Sequence, residues 1–180
     1  MDQTPAPPPK VGGMLPEFHT LHEFLEPFQT ETDRAAALLG AAMLDDKLAE
    51  ILRSFLVASE ISERLLRGPL QSFSSRTDTA YALGFLDEAE RNELHIIGRI
   101  RNKFAHSWRT LTFETENVRD LTRGLVIRGP LGLPDGTQPP RQHFNCSVIA
   151  IYTALILRNR IAADQRRVIK QEVAQYSRST

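Results

Sequence analysis

The sequence predicts an all-α protein, a bundle of about six helices. Apolar residues recur at helical spacing along most of the chain, and no stretch alternates apolar and polar residues as a half-buried strand does. Glycine and proline gather in a few short stretches that separate long helix-compatible segments. The length of 180 residues and the apolar fraction of 41% suit one domain with a sizeable core.

The domain is predicted to span residues 15–165, between two tails. Residues 1–14 hold four prolines and two glycines, a composition typical of a flexible segment. Residues 128–142 form a predicted Pro/Gly loop, and residues 166–180 form a basic C-terminal tail. Formal charge is −6 over residues 17–50 and +4 over residues 158–180. These two regions either face solvent or each other, or the tail contacts phosphates or an acidic partner.

The first half of the chain predicts two helices. Residues 18–28 carry an apolar stripe at helical spacing, and Thr32 is a predicted N-cap for a long second helix. Its apolar face includes Leu44 and Phe55, and we expect it to run to about Arg67, where Gly68-Pro69 ends it.

Four further helices are predicted. Ser74 or Ser75 caps one, and Asp87 begins the next, whose core-facing residues are Leu94, Ile97, Ile100 and Phe104. Thr115 or Asn117 opens a short helix that ends at Arg123. Residues 142–163 form the last helix, which is apolar nearly all round, as a central helix is.

Composition excludes several classes of protein. The 22 basic and 22 acidic residues cancel, so the whole chain exerts no net pull on nucleic acid or anionic membrane. A single cysteine, Cys146, excludes an internal disulfide framework. The longest stretch without charged residues, 142–157, is 16 residues long and shorter than a membrane span. We therefore expect a soluble, cytoplasmic protein without membrane contact.

No metal or cofactor is expected. His19, His22 and Glu26 share one helix face, a spacing that a metal accepts, but they lie opposite an apolar stripe and are most simply its solvated side. No glycine-rich phosphate loop precedes a helix.

The segment of residues 99–106 carries the most chemistry. An Arg-x4-His spacing is common by chance, but here Asn102 follows Arg101, and His106 ends an amphipathic helix. Histidine exchanges protons near neutral pH, arginine holds a phosphate with two hydrogen bonds, and asparagine orients either group. This set suits RNA strand scission without a metal. The alternative is a structural role, in which these residues form a solvated helix face or a polar cluster between helices.

Helix geometry constrains such a site. Arg101 and His106 lie about 140° apart on a regular helix, so they do not face one phosphate. Arg99 and His106 do share a face, as do His95 and Asn102. The site therefore requires the helix to end near Phe104, or Arg99 to take the role of Arg101, or a second protomer.

Two stretches together resemble a known family. Gly68-Pro69-Leu70, Arg76 and the Tyr81-x-Leu83-Gly84 pattern, followed by residues 101–106, resemble the mannitol operon repressor (MtlR-like) family of bacteria. The resemblance covers residues 51–118. It implies an all-helical, dimeric protein that regulates transcription negatively and has no standard helix-turn-helix. The same Arg-Asn-x3-His segment is similar to the signature of HEPN domains, many of which are dimeric, metal-independent RNases.

Two functions follow from these resemblances. The first is a cytoplasmic, homodimeric transcriptional regulator that acts through a protein partner or through nucleic acid, by an indirect contact to DNA or by binding RNA. Its binding residues would be Arg76, Arg99 and His95. The second is an endoribonuclease in which Arg101 binds phosphate, Asn102 is its polar neighbour and His106 is the acid–base group. Arg76 has a structural alternative, an ion pair with Asp78 or Glu88.

Overall fold

The computed structural model describes residues 23, 25, 28–127 and 138–169 of the chain. These residues contain helices and no strand, which confirms the all-α prediction. Residues 28–30 are helical, and six bounded helices follow: α1 Asp33–Phe55, α2 Glu60–Arg67, α3 Phe73–Ala82, α4 Glu88–His106, α5 Glu116–Arg123 and α6 Pro140–Asp164. The tail of residues 1–14, most of the loop of residues 128–142, and residues 170–180 lie outside the described residues.

The long second helix is shorter than predicted. Thr32 caps it as expected, since its hydroxyl accepts a hydrogen bond from the Ala35 amide at 3.2 Å. The helix ends at Phe55 rather than at about Arg67, and Leu56 has extended backbone angles. Ser59 then caps α2 by accepting a bond from the Ser62 amide at 3.2 Å. A second cap within the predicted span therefore divides it into two helices.

Two of the remaining helix starts differ from prediction by about two residues, and two agree with it. Ser72, not Ser74 or Ser75, caps α3, and its hydroxyl accepts a bond from the Ser75 amide at 3.1 Å. Asp87 opens α4 as predicted, in a reciprocal capping box with Glu90. Thr115 precedes α5, and α6 begins at Pro140, where the absent N–H of proline costs nothing.

Helices α1 and α6 pack along one another more extensively than any other pair, and α4 packs across α1. The residues predicted to line the core face of α4 are fully buried: Leu94, Ile97, Ile100 and Phe104. The Phe113 ring lies 5.1 Å from the Phe104 ring and 5.1 Å from the Phe144 ring, centroid to centroid. These aromatic contacts join α4, the chain after it and α6 in one core.

Helix α6 is long and apolar enough to span a membrane by length and composition, with a mean hydropathy of 1.3 over its best window. Eight of its residues are buried, among them Val148, Ile151 and Leu155. The helix packs against α1, α4 and α5. This packing is compatible with the central helix of a soluble bundle, as the sequence predicts.

A buried carboxylate on α4 forms hydrogen bonds with the chain after α5 and with α6. Glu93 is 1% exposed. One of its oxygens accepts a hydrogen bond from the Val126 amide at 2.9 Å, and the other accepts bonds from the Ile127 amide at 3.0 Å and the Ser147 hydroxyl at 2.7 Å. The three donors offset the cost of burying the carboxylate and fix the chain after α5 against α4 and α6.

The start of the predicted basic tail packs on the end of α1. The Arg166 guanidinium donates to the carbonyls of Ser54 and Arg53, and the Arg167 amide donates to the Phe55 carbonyl. These donors satisfy carbonyls in the last turn of α1. Arg166 and Arg167 thus belong to the folded unit.

Replacing Gly84 by alanine is expected to lower the free energy of unfolding by about 1 kcal/mol. Gly84 has a φ of +79°, and a Cβ there would meet no atom within 4 Å, so backbone strain alone sets the cost. Urea unfolding of Gly84→Ala beside Gly84→Asn measures it. Asparagine tolerates left-handed φ angles better than alanine, so we expect a smaller loss of stability for Gly84→Asn. Equal stability of the parent and both variants would contradict a left-handed backbone at Gly84.

Candidate functional site

The C-terminal half of α4 forms one wall of an open groove of about 690 Å³. Arg99, Lys103 and His106 recur there at i, i+4 and i+7 and therefore share one helix face. We call this depression the central groove. Its lining residues are Arg99, Asn102, Lys103, His106, Ser107, Trp108, Arg109, Leu111 and Asn117. The volume is that of a site for a small ligand or a nucleotide-sized part of a larger one.

The chain after α4 forms the rim of the central groove and is held by the first turn of α1. The Arg34 guanidinium donates to the Ser107 carbonyl at 2.7 Å and the Arg109 carbonyl at 3.1 Å. The Asp33 carboxylate accepts a bond from the Phe113 amide at 2.9 Å. Because both ends of this segment are fixed, Trp108 is presented to solvent at a defined position.

Trp108 is 87% exposed, the largest exposed fraction of any large apolar side chain in the described part of the protein. The Arg109 guanidinium lies 5.1 Å from its ring centroid, in cation–π geometry. An aromatic ring exposed at the rim of a groove is available to stack on a bound ligand.

The central groove is positively charged. Three permanent cations line it, Arg99, Lys103 and Arg109, and no carboxylate is among its lining residues. Within the described residues, the side chains of Arg99 and Lys103 make no hydrogen bond or ion pair. A cation near a helix C-terminus is favoured by the helix dipole, which accounts for Lys103. The dipole does not account for Arg99, an earlier turn away, or for Arg109 beyond the helix.

The structure separates Arg101 from His106. Helix α4 continues through His106, so it does not end near Phe104. Arg101 donates a hydrogen bond from Nη1 to the Asn102 amide oxygen at 2.9 Å and does not line the central groove. Of the three arrangements that the motif allowed, the one with Arg99 in place of Arg101 matches the groove: Arg99, Asn102 and His106 all line it. The roles of Arg101, Asn102 and His106 in catalysis stay predictions.

His95 and Arg76 lie apart from the central groove, in contacts between helices. His95 Nε2 donates to Asp78 Oδ1 at 3.0 Å, and Arg91 Nε donates to the same oxygen at 2.8 Å. Arg76 bridges to Asp45 on α1, Nη1 to Oδ2 at 2.7 Å, and donates to the Leu70 carbonyl. The predicted structural alternative, an ion pair with a carboxylate of a neighbouring helix, is present, but its acceptor is Asp45 on α1 and not Asp78 or Glu88. Binding roles for His95 and Arg76 stay predictions.

Asp78 gives an expected pH dependence of stability. The hydrogen bond from His95, followed by that from Arg91, lowers the pKa of Asp78 below its ordinary value of 3.8. A carboxyl whose pKa is depressed by folding stabilises the protein above the unfolded pKa, and that stability is lost as the pH falls through the folded pKa. In urea unfolding, the advantage of the parent over Asp78→Asn should shrink below pH 3.8. A constant advantage down to the lowest measurable pH would contradict this.

Sequence reasoning missed four features of the groove. The sequence pattern could have identified Lys103, because Lys103 lies one helical turn after Arg99 on the same helix face. Arg109 and Asn117 reach the groove through the turn after α4 and the start of α5, and Arg34 reaches its rim from α1. No local pattern indicates these three.

No group of three or more His, Cys, Asp or Glu residues in the described part could hold a metal ion. His19, His22 and Glu26 lie outside that part. Cys146 is half-buried, and burial raises the pKa of its thiol, so it is not poised as a nucleophile.

No protein-family model, no curated protein and no solved structure matches this chain. The resemblance to the MtlR-like family and to the HEPN signature therefore stays a prediction from the motifs.

Proposed function

We propose that this chain is a cytoplasmic regulatory protein of MtlR-like type, negative in its effect on transcription, that binds nucleic acid at the central groove instead of through a helix-turn-helix. One observation carries the proposal: Arg99 and Lys103 face an open groove without any carboxylate partner among the described residues. Unpaired, solvated cations beside polar amides are suited to phosphate groups. An acidic protein surface would supply charge but would not require the exposed Trp108.

The neutral total charge is consistent with a local contact. With no net attraction over the whole chain, affinity has to come from the few cations of the groove. Three phosphate contacts to a single strand predict a log–log salt slope of about −2. The binding should therefore be moderate and strongly weakened by salt.

Fluorescence anisotropy with labelled RNA and DNA oligonucleotides, titrated over a range of salt concentrations, tests the proposal. We expect saturable binding at low salt with the slope given above. Absence of binding at low salt to single strands and duplexes of both nucleic acids would contradict it.

The same proposal includes a homodimer. Ile61 and Leu65 are exposed on one face of α2, and Leu157 and Ile161 are exposed on one face of α6. Apolar pairs of this kind suit an interface between chains. Light scattering at micromolar concentration should give about twice the 20.3 kDa mass of one chain, and the mass of one chain would contradict the dimer.

A second candidate function is a metal-independent endoribonuclease at the same groove. It is favoured by the shared position of Arg99 and His106. His106 would take the proton of a ribose 2′-hydroxyl, and the 2′-oxygen would attack phosphorus as the bond to the 5′-oxygen breaks. The departing 5′-oxygen would take a proton from water, and His106 would return its proton to solvent, leaving a 2′,3′-cyclic phosphate and a 5′-hydroxyl. Arg99 would stabilise the charge on the phosphate in the transition state.

RNA cleavage in EDTA separates this candidate from binding alone. Cyclic-phosphate ends that are lost in His106→Ala and Arg99→Ala, and retained in Arg101→Ala, would support an RNase built on the groove. Loss in Arg101→Ala instead would favour the arrangement that the HEPN-like motif implies. No cleavage of RNAs that the protein binds would exclude the nuclease and leave the regulator.

A further inference from the structure

The central groove continues into a second depression along α4 and α5. This α5 depression, of about 450 Å³, shares Arg99, Lys103 and Asn117 with the central groove and extends to Gly124. The wall that α4 gives to the two depressions runs from Ile96 to His106, a rise of about 15 Å.

A third depression opens at the other end, beside the first turn of α1. This α1 depression, of about 340 Å³, shares Trp108, Arg109 and Leu111 with the central groove and extends to Thr32 and Thr110. The three depressions are therefore adjacent, since each of the outer two shares three lining residues with the central groove, and we call them together the track. Trp108 stands where the central groove meets the α1 depression.

The positive charge of the track is concentrated in its middle, at Arg99, Lys103 and Arg109. Two carboxylates line its ends, Asp33 and Asp120, and each is paired with an arginine at 3.0 Å: Asp33 with Arg141, and Asp120 with Arg123. Neither of those arginines lines the track. The cations that line it are thus left to attract an anionic strand.

We propose that the track binds a single strand of nucleic acid several nucleotides long, with one base stacked on Trp108 and phosphates held by Arg99 and Lys103 on one side and by Arg109 on the other. This inference rests on the proposed function and names the form of its ligand. A groove lined by cations beside an exposed aromatic ring is what single-strand binders use, because charge attracts the backbone while each unpaired base offers a face for stacking. The bases of a duplex are stacked on one another, so a duplex would offer no base to stack on the Trp108 ring.

Trp108 provides its own test, because it is the only tryptophan of the chain. Its fluorescence is followed while octauridylate, its deoxy counterpart, an abasic octamer of the same charge and a duplex are added, with anisotropy recording binding in parallel. We expect the base-bearing single strands to change the fluorescence strongly, and the abasic strand and duplex to bind without doing so. Comparison of the ribose and deoxyribose strands shows which sugar the track prefers.

Variants add an affinity measurement. Stacking of one base is worth about 1–3 kcal/mol, so Trp108→Ala should weaken octauridylate binding by about 5- to 150-fold. Trp108→Phe should weaken it less, and Trp108→Ala should leave binding of the abasic strand unchanged. Thr110→Glu, at the α1 end of the track, should weaken the octamer but not a dinucleotide. Ser74→Glu makes the same charge change at an exposed position on α3, outside the track, and should alter neither.

The outcomes separate the two proposals. Octamer binding with unchanged Trp108 fluorescence, or affinity that stops rising at the dinucleotide, would overturn the track while leaving nucleic-acid binding at the central groove intact. No binding of any oligonucleotide would overturn both.

Discussion

Replacing Arg99 and Lys103 together by glutamine should weaken single-stranded RNA binding by about a hundredfold or more. Each residue is expected to give one charged hydrogen bond to a phosphate, and the loss of one such bond costs about 1.5–3 kcal/mol. The salt slope should also become shallower by about 1.4, since each lost phosphate contact to a single strand removes about 0.7. Anisotropy titrations at several salt concentrations measure both quantities.

A matched control removes the same charge elsewhere. Arg64 and Arg67 on α2 are exposed and do not line the track, so Arg64→Gln/Arg67→Gln changes the net charge equally. The Arg99→Gln/Lys103→Gln variant should unfold at the same urea concentration as the parent, because these two side chains make no hydrogen bond within the described residues. The control should also differ little from the parent, because the ion pair of Arg67 with Glu63, at 4.0 Å, is exposed and contributes little to stability. Equal weakening in the two double variants would mean that binding follows overall charge and not the groove.

Replacing Glu93 by alanine should lower the free energy of unfolding by about 3–5 kcal/mol. The change leaves the amides of Val126 and Ile127 and the Ser147 hydroxyl without their acceptor, and it opens a cavity where the side chain lay. Urea unfolding followed by circular dichroism measures the loss.

Glutamine separates the hydrogen bonds from the packing at this position. Glu93→Gln keeps the volume and one acceptor oxygen but turns an amide N–H₂ toward a donor, so we expect a smaller loss of about 1–3 kcal/mol. Glu88→Ala, one turn earlier and exposed, should change the free energy of unfolding by less than about 0.5 kcal/mol. A loss below about 1 kcal/mol in Glu93→Ala would show that the three donors find water or other acceptors instead.

Much of the fold could be predicted from local chemistry. The residue spacing within a single segment predicts the apolar face of α4, the Asp87 cap and the apolar α6. The structure has all three features. The break between α1 and α2 escaped prediction because the apolar pattern continues across it, while the Ser59 cap is a single residue within that pattern. Helix boundaries depend on which capping residue is used, and apolar periodicity does not indicate this.

The candidate site could be predicted only in part. The sequence indicates that Arg99 and His106 share a face of α4, and the groove brings them together. It does not indicate that Arg76 is engaged by Asp45, that Arg101 bonds to its neighbour Asn102, or that Trp108 is held in solvent by contacts between Arg34 and the chain after α4. Those positions are set by contacts between residues far apart in the chain, such as the 73 positions that separate Arg34 from Ser107.

The central claim is that nucleic acid binds in the groove at the C-terminal half of α4. At 20.3 kDa, one chain is suited to nitrogen–proton correlation spectra, in which each backbone amide reports its own surroundings. Titration with octauridylate should shift the amides of Arg99, Lys103, Trp108, Arg109 and Asn117, with the indole N–H of Trp108 among the largest changes. Shifts confined to α2 and Arg166, or no shift at any ratio of strand to protein, would contradict the claim.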